Sequence, residues 1–395
     1  MKLEKIKKRD NTYVIPTYGE RGVSFVRGKG VSLWDTAGKR YLDFVAGLSV
    51  NNLGYSHPEI VKIIGGQARK LIHISNLYYH ESQGLLAERL IKLSFPGKCF
   101  FANSGLEANE AAIKLCRKYG VENLNGAYEI ITMEKSFHGR SLATLAATGQ
   151  DKIHKGFYPL IPGFHYARLN DIDSVKEKVT SRTCAIMLEP IQGEGGIYLA
   201  SKKFIRELRE LCSEKKILLV FDEVQCGLGR TGKFFAYENF RIKPDVLTLA
   251  KSIASGIPMG AMIAALPYSD ILGKSNHAST FGGNPLACAT SLKVIEIISR
   301  KRFLDSIIGK GNFFKASLEK LKIRFAFIKE VRGLGLMLGM EVEGKAPQIA
   351  KEALSRGLLI NAVGDNILRF LPPLIITKKE ITHGLRILEE VLKII

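Results

Sequence analysis

Over most of the chain, apolar runs short enough for single strands alternate with stretches whose apolar residues recur at helical spacing. Residues 23–44 differ: short strand-like pieces turn at Arg27-Gly-Lys-Gly30 and again at Asp35-Thr-Ala-Gly38. After them, residues 98–103, 130–133, 184–188, 217–222 and 245–250 read as buried strands, and 259–266 adds a further apolar strand. A helix over 106–119, closed by Gly120, follows the first of these. Phe204, Ile205, Leu208, Leu211 and Cys212 share one face of another helix, ahead of the strand at 217. Such β–α–β order predicts a mostly parallel sheet with right-handed crossovers, hence an α/β class. Beyond Asn284-Pro285 the pattern predicts a long helix, a strand over 335–342 and a terminal helix from about Lys378. These suit a smaller α+β domain that also takes in the N-terminal strands. The expected division is 1–48 for the N-terminal part of the small domain, 49–284 for the large domain and 285–395 for the rest of the small one.

A chain of 395 residues exceeds what one hydrophobic core usually supports, which agrees with two domains. Hydrophobic residues at 46% and charged ones at 24% are ordinary for a soluble protein, and no long uncharged run could span a membrane. The first ten residues carry charge without an apolar stretch behind it, so no secretory signal is expected. Six scattered cysteines without a Cys-x-x-Cys pair argue against zinc and against a disulfide framework; no metal is expected, and a reducing cytoplasm is the simplest location. A net charge of +20 raises the question of nucleic acid, yet the basic residues are spread over the whole chain. That diffuse excess reads as a solvated surface that steers anionic ligands.

Chemistry enters where strands end. The run Ile217 to Phe221 leads into Asp222 and Glu223, and the run from Asp245 ends on Lys251. In a parallel sheet both ends open on the crevice where ligands bind. A lysine there can form a Schiff base, and an aspartate can hold a pyridinium nitrogen, the two demands of pyridoxal 5'-phosphate (PLP). Alternatively, Asp222 and Glu223 cap a turn and Lys251 is solvated. Ser104-Gly105, between a strand and a helix, adds a third handle: amides and the positive dipole end suited to a phosphate. Capping by Asn103 or Ser104, with Glu107 in the first turn, is the plainer account of the same residues.

The order and wording of the segments carry a resemblance. Residues 103–112 (Asn-Ser-Gly-Leu-Glu-Ala-Asn-Glu-Ala-Ala), 136–140 (Ser-Phe-His-Gly-Arg), 189–196 (Glu-Pro-Ile-Gln-Gly-Glu-Gly-Gly), 222–232 (Asp-Glu-Val-Gln-Cys-Gly-Leu-Gly-Arg-Thr-Gly), Lys251 and 279–285 (Ser-Thr-Phe-Gly-Gly-Asn-Pro) resemble the class III aminotransferases from about Tyr18 to the C-terminus. Within that family, residues 136–149 are similar to the branch acting on acetylornithine.

The resemblance implies the PLP-dependent fold type I, a homodimer with shared active sites, and transfer of the δ-amino group of N2-acetylornithine to 2-oxoglutarate, with glutamate as a product, in arginine biosynthesis. It implies Lys251 as the Schiff-base lysine and proton shuttle, Asp222 as partner of the pyridinium nitrogen, Gln225 near the ring's phenolic oxygen and Phe137 stacked on the ring. Ser104, Gly105 and Leu106 would meet the phosphate. Leu106 departs from the small or hydroxyl residue usual in the family, which leaves only its backbone contact. Glu189 is carried over as cofactor-binding, and Thr280, after Ser279, as reaching the cofactor of the neighbouring subunit. For substrate, Arg140 would fork onto the distal carboxylate and Arg369 onto the α-carboxylate of glutamate or 2-oxoglutarate. Glu194 would pair with Arg369 when the substrate has no carboxylate near the reacting carbon. Ser279 and Tyr18 complete the expected substrate contacts, although Gly22 stands where a proline near Tyr18 is frequent.

Other classes fare worse. A nicotinamide dehydrogenase needs Gly-x-Gly-x-x-Gly opening the first crossover, and Gly333-Leu-Gly-Leu-Met-Leu-Gly339 has the wrong spacing, late in the chain. A phosphate-hydrolysing P-loop is absent. A non-catalytic binding protein on the same fold would have no use for Lys251 and Asp222 together. Within the family, the alternatives are ornithine, 4-aminobutyrate and succinyl-diaminopimelate as amino donors.

Overall fold

The computed structural model describes residues 3–19 and 21–395. A helix over Leu3–Tyr13, none of whose residues is buried, precedes the first strands. In chain order the strands are β1 (Phe25–Lys29), β2 (Ser32–Asp35), β3 (Arg40–Asp43), β4 (Gly97–Ala102), β5 (Glu129–Met133), β6 (Phe164–Ala167), β7 (Thr183–Leu188), β8 (Ile191–Gln192), β9 (Tyr198–Leu199), β10 (Leu218–Asp222), β11 (Val246–Leu249), β12 (Gly260–Ala265), β13 (Ile328–Leu334), β14 (Met337–Val342), β15 (Leu358–Leu359), β16 (Asn361–Val363) and β17 (Ile367–Phe370).

The central sheet has seven strands in the order β4-β12-β11-β10-β7-β5-β6. Its strand residues divide with period two between the faces. Ile131, Ile186, Leu188, Leu219, Phe221, Leu247 and Leu249 pack with the Lys202–Lys215 and Pro285–Ile298 helices. Ile130, Ala185, Met187, Leu218, Val220 and Val246 pack with the Gly105–Asn123 helix. The result is a sheet between two helical layers, as near-continuous apolar runs demand. All pairings of β10, β11, β7, β5 and β6 among themselves are parallel; β12 alone runs against its neighbours β11 and β4. The connection over 250–259 is too short to carry a crossover helix, so the chain must turn back beside β11.

Two readings of the sequence need correction. The helix after β4 does not end at Gly120 but runs to Asn123. Gly120 is buried there, and a Cβ on it would collide with the Ala127 carbonyl, so this glycine serves close packing, not a helix stop. The long helix after Asn284 is two helices, Pro285–Ile298 and Lys301–Arg324, broken where Arg300 turns extended at ψ 125°.

The smaller core joins Val31, Leu42 and Phe44 from the N-terminus to Ile307, Phe314, Leu338, Met340 and Leu388 from the C-terminal third. The pairing of β3 with β15 closes this union. Because Cys288, Val294 and Ile298 pack in the larger core, we propose the Ser299–Arg300 break as the start of the C-terminal part of the small domain. Between β3 and the helix over Pro58–Ala68 lies a turn of four successive left-handed residues, Ala46, Gly47, Leu48 and Ser49, with φ of 50°, 60°, 63° and 66°. Outside glycine each such residue costs about 1–2 kcal/mol. The Asp43 carboxylate, which accepts from the Val45 and Ala46 amides and from the Tyr55 hydroxyl at 2.7–3.1 Å, helps to hold the turn. No helix among the described residues is long and apolar enough to cross a membrane.

Candidate active site

Five strand ends meet at one edge of the central sheet. Asp222 ends β10, Lys251 lies two residues beyond β11, Ser104 lies two beyond β4, and Phe137 and Glu189 follow β5 and β7. Between them lies a cavity of about 210 Å³ lined by Ser104, Gly105, Leu106, Phe137, Arg140, Glu189, Glu194, Asp222, Gln225 and Lys251. This is the carboxyl edge of the parallel strands, where the fold class places its ligands.

Each wall has a local cause. Ser104 caps the Gly105–Asn123 helix by accepting from the Glu107 amide, so the amides of Gly105 and Leu106 belong to the first turn, where no helical carbonyl can take them. A Cβ at Gly105 would lie 2.7 Å from Val224 Cγ1, so only glycine lets this helix come so close to the 222–225 turn. A Cβ at Gly139, whose φ is 144°, would lie 2.7 Å from that of Leu106. The leucine that departs from the family pattern therefore packs over a bare backbone.

Asp222 is buried and held on three sides. Asn109 Nδ2 donates to Oδ2 at 2.7 Å, His138 Nδ1 lies 2.8 Å from the same oxygen, and the Val224 amide donates to Oδ1 at 3.0 Å. Asn109 is itself fixed by Thr248 Oγ1 at 2.7 Å and bonds the His138 carbonyl at 2.8 Å. Glu223 points the other way: its two oxygens each accept a backbone amide, of Ala236 and Tyr237, at 2.6 Å, and burial pushes its carboxyl up to about 8. Of the acidic pair, one thus faces the cavity and one ties down a loop. Glu189 takes the amides of Phe137 and Gly193 at 2.9 and 3.0 Å, which joins two walls of the cavity.

Lys251 has φ of 51°, unusual outside glycine, and opens a 3-10 turn over Lys251–Ala254. Burial lowers its pKa, against the pull of Glu194. Glu194 in turn makes a 2.7 Å ion pair with Arg369. Burial works to raise the Glu194 carboxyl, but Arg369 outweighs it and the group sits below its ordinary value. Arg369, on β17, is fully buried and also donates to the Gly193 carbonyl at 3.0 Å, to Gln225 Oε1 at 3.2 Å and to Asn361 Oδ1 at 2.6 and 3.0 Å. Gln225 completes the cluster through Nε2, 3.4 Å from Glu194 Oε1. Arg140 is exposed at the rim, its guanidinium 5.7 Å from the centroid of the Phe137 ring.

These residues fit the cofactor expected from the sequence. A fixed carboxylate faces a cavity that also holds a buried amine, an aromatic ring and a helix start whose glycine leaves room for close backbone approach. Three expected residues lie elsewhere. Tyr18 is 75% exposed and lines a surface cleft beside the Leu3–Tyr13 helix. Ser279 accepts from Asn103 Nδ2 at 3.2 Å and from the Gly282 amide at 3.0 Å, and Thr280 is exposed; neither lines the cavity of its own chain. Three residues were missed. His138 stands inside the quoted 136–140 motif and Asn109 inside 103–112, so a signal existed for both. Asn361 pairs with Arg369 across β16 and β17, a register that no local pattern announces.

The sequence profile described as Aminotransferase class-III matches residues 16–392. The chain is 49% identical to an acetylornithine aminotransferase of Methanocaldococcus jannaschii, over 97% of this chain and 96% of that one. It is equally similar, at 49%, to an acetylornithine aminotransferase of Caldanaerobacter subterraneus, over 97% and 98% of the two chains. The crystal structure of N-acetylornithine aminotransferase from Stenotrophomonas maltophilia superposes with a TM-score of 0.85 at 34% identity, covering 98% of both chains. The ornithine aminotransferase of Toxoplasma gondii does so with a TM-score of 0.96 at 29% identity, over 100% and 96%.

Proposed function

Since the chain belongs to the class III aminotransferases, we propose that it transfers the δ-amino group of N2-acetylornithine to 2-oxoglutarate, giving N-acetylglutamate 5-semialdehyde and glutamate. The family is PLP-dependent, and the cofactor, when bound, supplies a carbonyl that carries the amino group and a ring that takes up the electron pair released at the reacting carbon.

The observation that carries the substrate reading is the Glu194–Arg369 pair beside Lys251. The buried Arg369 guanidinium is built around a carboxylate partner, Glu194, whose place a substrate carboxylate would take in one half of the reaction. With glutamate or 2-oxoglutarate bound, the α-carboxylate takes that place and Glu194 swings away. With acetylornithine there is no carboxylate next to the reacting carbon, and Glu194 returns. Arg140, at the rim, then takes the distant α-carboxylate of acetylornithine in its fork. Lys251 Nζ moves the proton off the donor's δ-carbon and later delivers one to the acceptor's α-carbon. Asp222, fixed in place by Asn109 and His138, would hold the pyridinium nitrogen, and the amides of Gly105 and Leu106 would receive the phosphate. The names of the relatives favour acetylornithine over the other donors. Specificity constants for acetylornithine, ornithine, 4-aminobutyrate and succinyl-diaminopimelate, each with 2-oxoglutarate, test this. Acetylornithine should lead, and a higher value for 4-aminobutyrate or ornithine would overturn the reading.

The working unit in this proposal is a homodimer with shared sites. In support, Thr280 is exposed and does not line its own chain's cavity, and Asn76 binds its loop to a segment with Leu77, Tyr78 and Tyr79 exposed by 83%, 64% and 105%. An apolar patch of that kind marks an interface. Mixing Lys251→Ala with Thr280→Ala chains should raise activity above either parent, because one site of the hybrid carries both lesions and the other none. No rise after proven subunit exchange would count against shared sites.

A further inference from the structure

Arg230 stands in the 227–232 segment, Gly-Leu-Gly-Arg-Thr-Gly, which the mechanism above leaves without a task. It is the largest fully buried side chain of the protein's described residues together with Arg369. All its bonds go to neutral oxygens. Nε donates to Ser49 Oγ at 3.1 Å, Nη1 to the carbonyls of Leu336, at 3.0 Å, and Pro372, and Nη2 to Asn52 Oδ1. Burial pushes its pKa down to about 9, partly offset by the Asp43 carboxylate. A buried charge of this kind is costly, and an apolar side chain would serve packing at less expense.

What the guanidinium gains is a fixed place between two domains. Leu336 immediately precedes β14 and Pro372 follows β17 by two residues; these two strands pair antiparallel, with Gly339 opposite Arg369. On the other side, Ser49 ends the left-handed turn and passes the contact on, donating to the Gln225 carbonyl at 3.2 Å. The Gln225 side chain touches both Arg369 and Glu194. Arg230 thus grips the frame that carries Arg369 and, through Ser49, the residue against which Arg369 is set.

We propose that Arg230 is a positioning residue for the carboxylate subsite: it fixes Arg369 of the small domain against Gln225 and Glu194 of the large one, and so governs recognition of the α-carboxylate of a 2-oxo or 2-amino dicarboxylic acid. The substrate in this statement rests on the aminotransferase reading above; the geometry does not.

The test uses Arg230→Lys, which keeps the charge and loses the fork, and Ser49→Ala, which removes the hydroxyl relay between Arg230 and Gln225 but leaves the Arg230 bonds to Leu336, Pro372 and Asn52. Both variants are compared with the wild-type holoenzyme. Single-turnover rates with 2-oxoglutarate and with glutamate should fall on the order of 10- to 100-fold in Arg230→Lys, the scale of a misplacement of about 1 Å, and less in Ser49→Ala. The acetylornithine half-reaction should stay near wild type. Equal losses in both halves, or no loss in either, overturn the proposal. Amide hydrogen exchange read on the same proteins separates this from the functional reading. If the wild-type protein does not use 2-oxoglutarate, that reading fails, and the exchange pattern still decides: faster exchange confined to residues 367–370 and 224–226 supports the positioning role, whereas protection unchanged, or lost across the whole small domain, ends it.

Discussion

Lys251→Ala should abolish turnover, by more than the ~10²–10⁴-fold that a proton-transferring group supplies alone, because the same amine is proposed to bind the cofactor and to shuttle the proton. The variant should fold, since the change removes a buried amine whose pKa burial already depresses and leaves the Asp222 cluster untouched. Wild-type protein should be yellow, and borohydride reduction followed by peptide mapping should place the cofactor on Lys251. A label on any other lysine, or a Lys251→Ala protein that still turns over, would remove the centre of the proposed site.

The second large effect is an asymmetry between two arginines. Arg369→Lys keeps a charge beside Glu194 but cannot keep the fan of bonds to Glu194, Gln225, Gly193 and Asn361. It should weaken the glutamate and 2-oxoglutarate half-reaction by about 1–3 kcal/mol in transition-state binding, the worth of a charged hydrogen bond, and spare the acetylornithine half. Arg140→Lys, at the rim, should weaken both, since each substrate has a distal carboxylate for it. Rapid-reaction kinetics of the separate halves would show the difference. Equal damage to both halves by Arg369→Lys would mean that Glu194 and Arg369 do not exchange partners as proposed.

The parts of this site that could be read from the sequence are those in which one residue acts from the end of one strand. Asp222, Lys251 and Ser104-Gly105 each close an apolar run, and a run that ends in a charge or a tight turn is visible to a local pattern. His138 does not stand out in the sequence because its motif neighbours Phe137 and Arg140 already account for the segment; its ring turns inward to Asp222, and nothing in spacing reports the direction of a ring. Asn361 and the Arg230 contacts depend on registers set between distant segments, which no window along the chain contains. The fold followed the same rule. Period and polarity located six of the seven strands of the central sheet, all but β6, and the apolar face of the Lys202–Lys215 helix, but the direction of β12 depended on the length of its connection. Gly120 could be read as a helix stop or as a contact point, and only the Ala127 carbonyl facing it decides between them.

The small core drawn from both ends of the chain also imposes an order on synthesis. Leu42 of β3 pairs with Leu358 of β15, so the first strands to leave the ribosome wait for almost the whole chain before their partner exists. Closing so long a loop is slow, and until then Val31, Leu42 and Phe44 have no core to enter. The large sheet, complete by Ala265, can assemble in the meantime, leaving the N-terminal strands as an open edge that invites pairing with other nascent chains. Their brevity, and the Arg27, Lys29 and Arg40 side chains along them, are the features that would keep such an edge from finding the wrong neighbour.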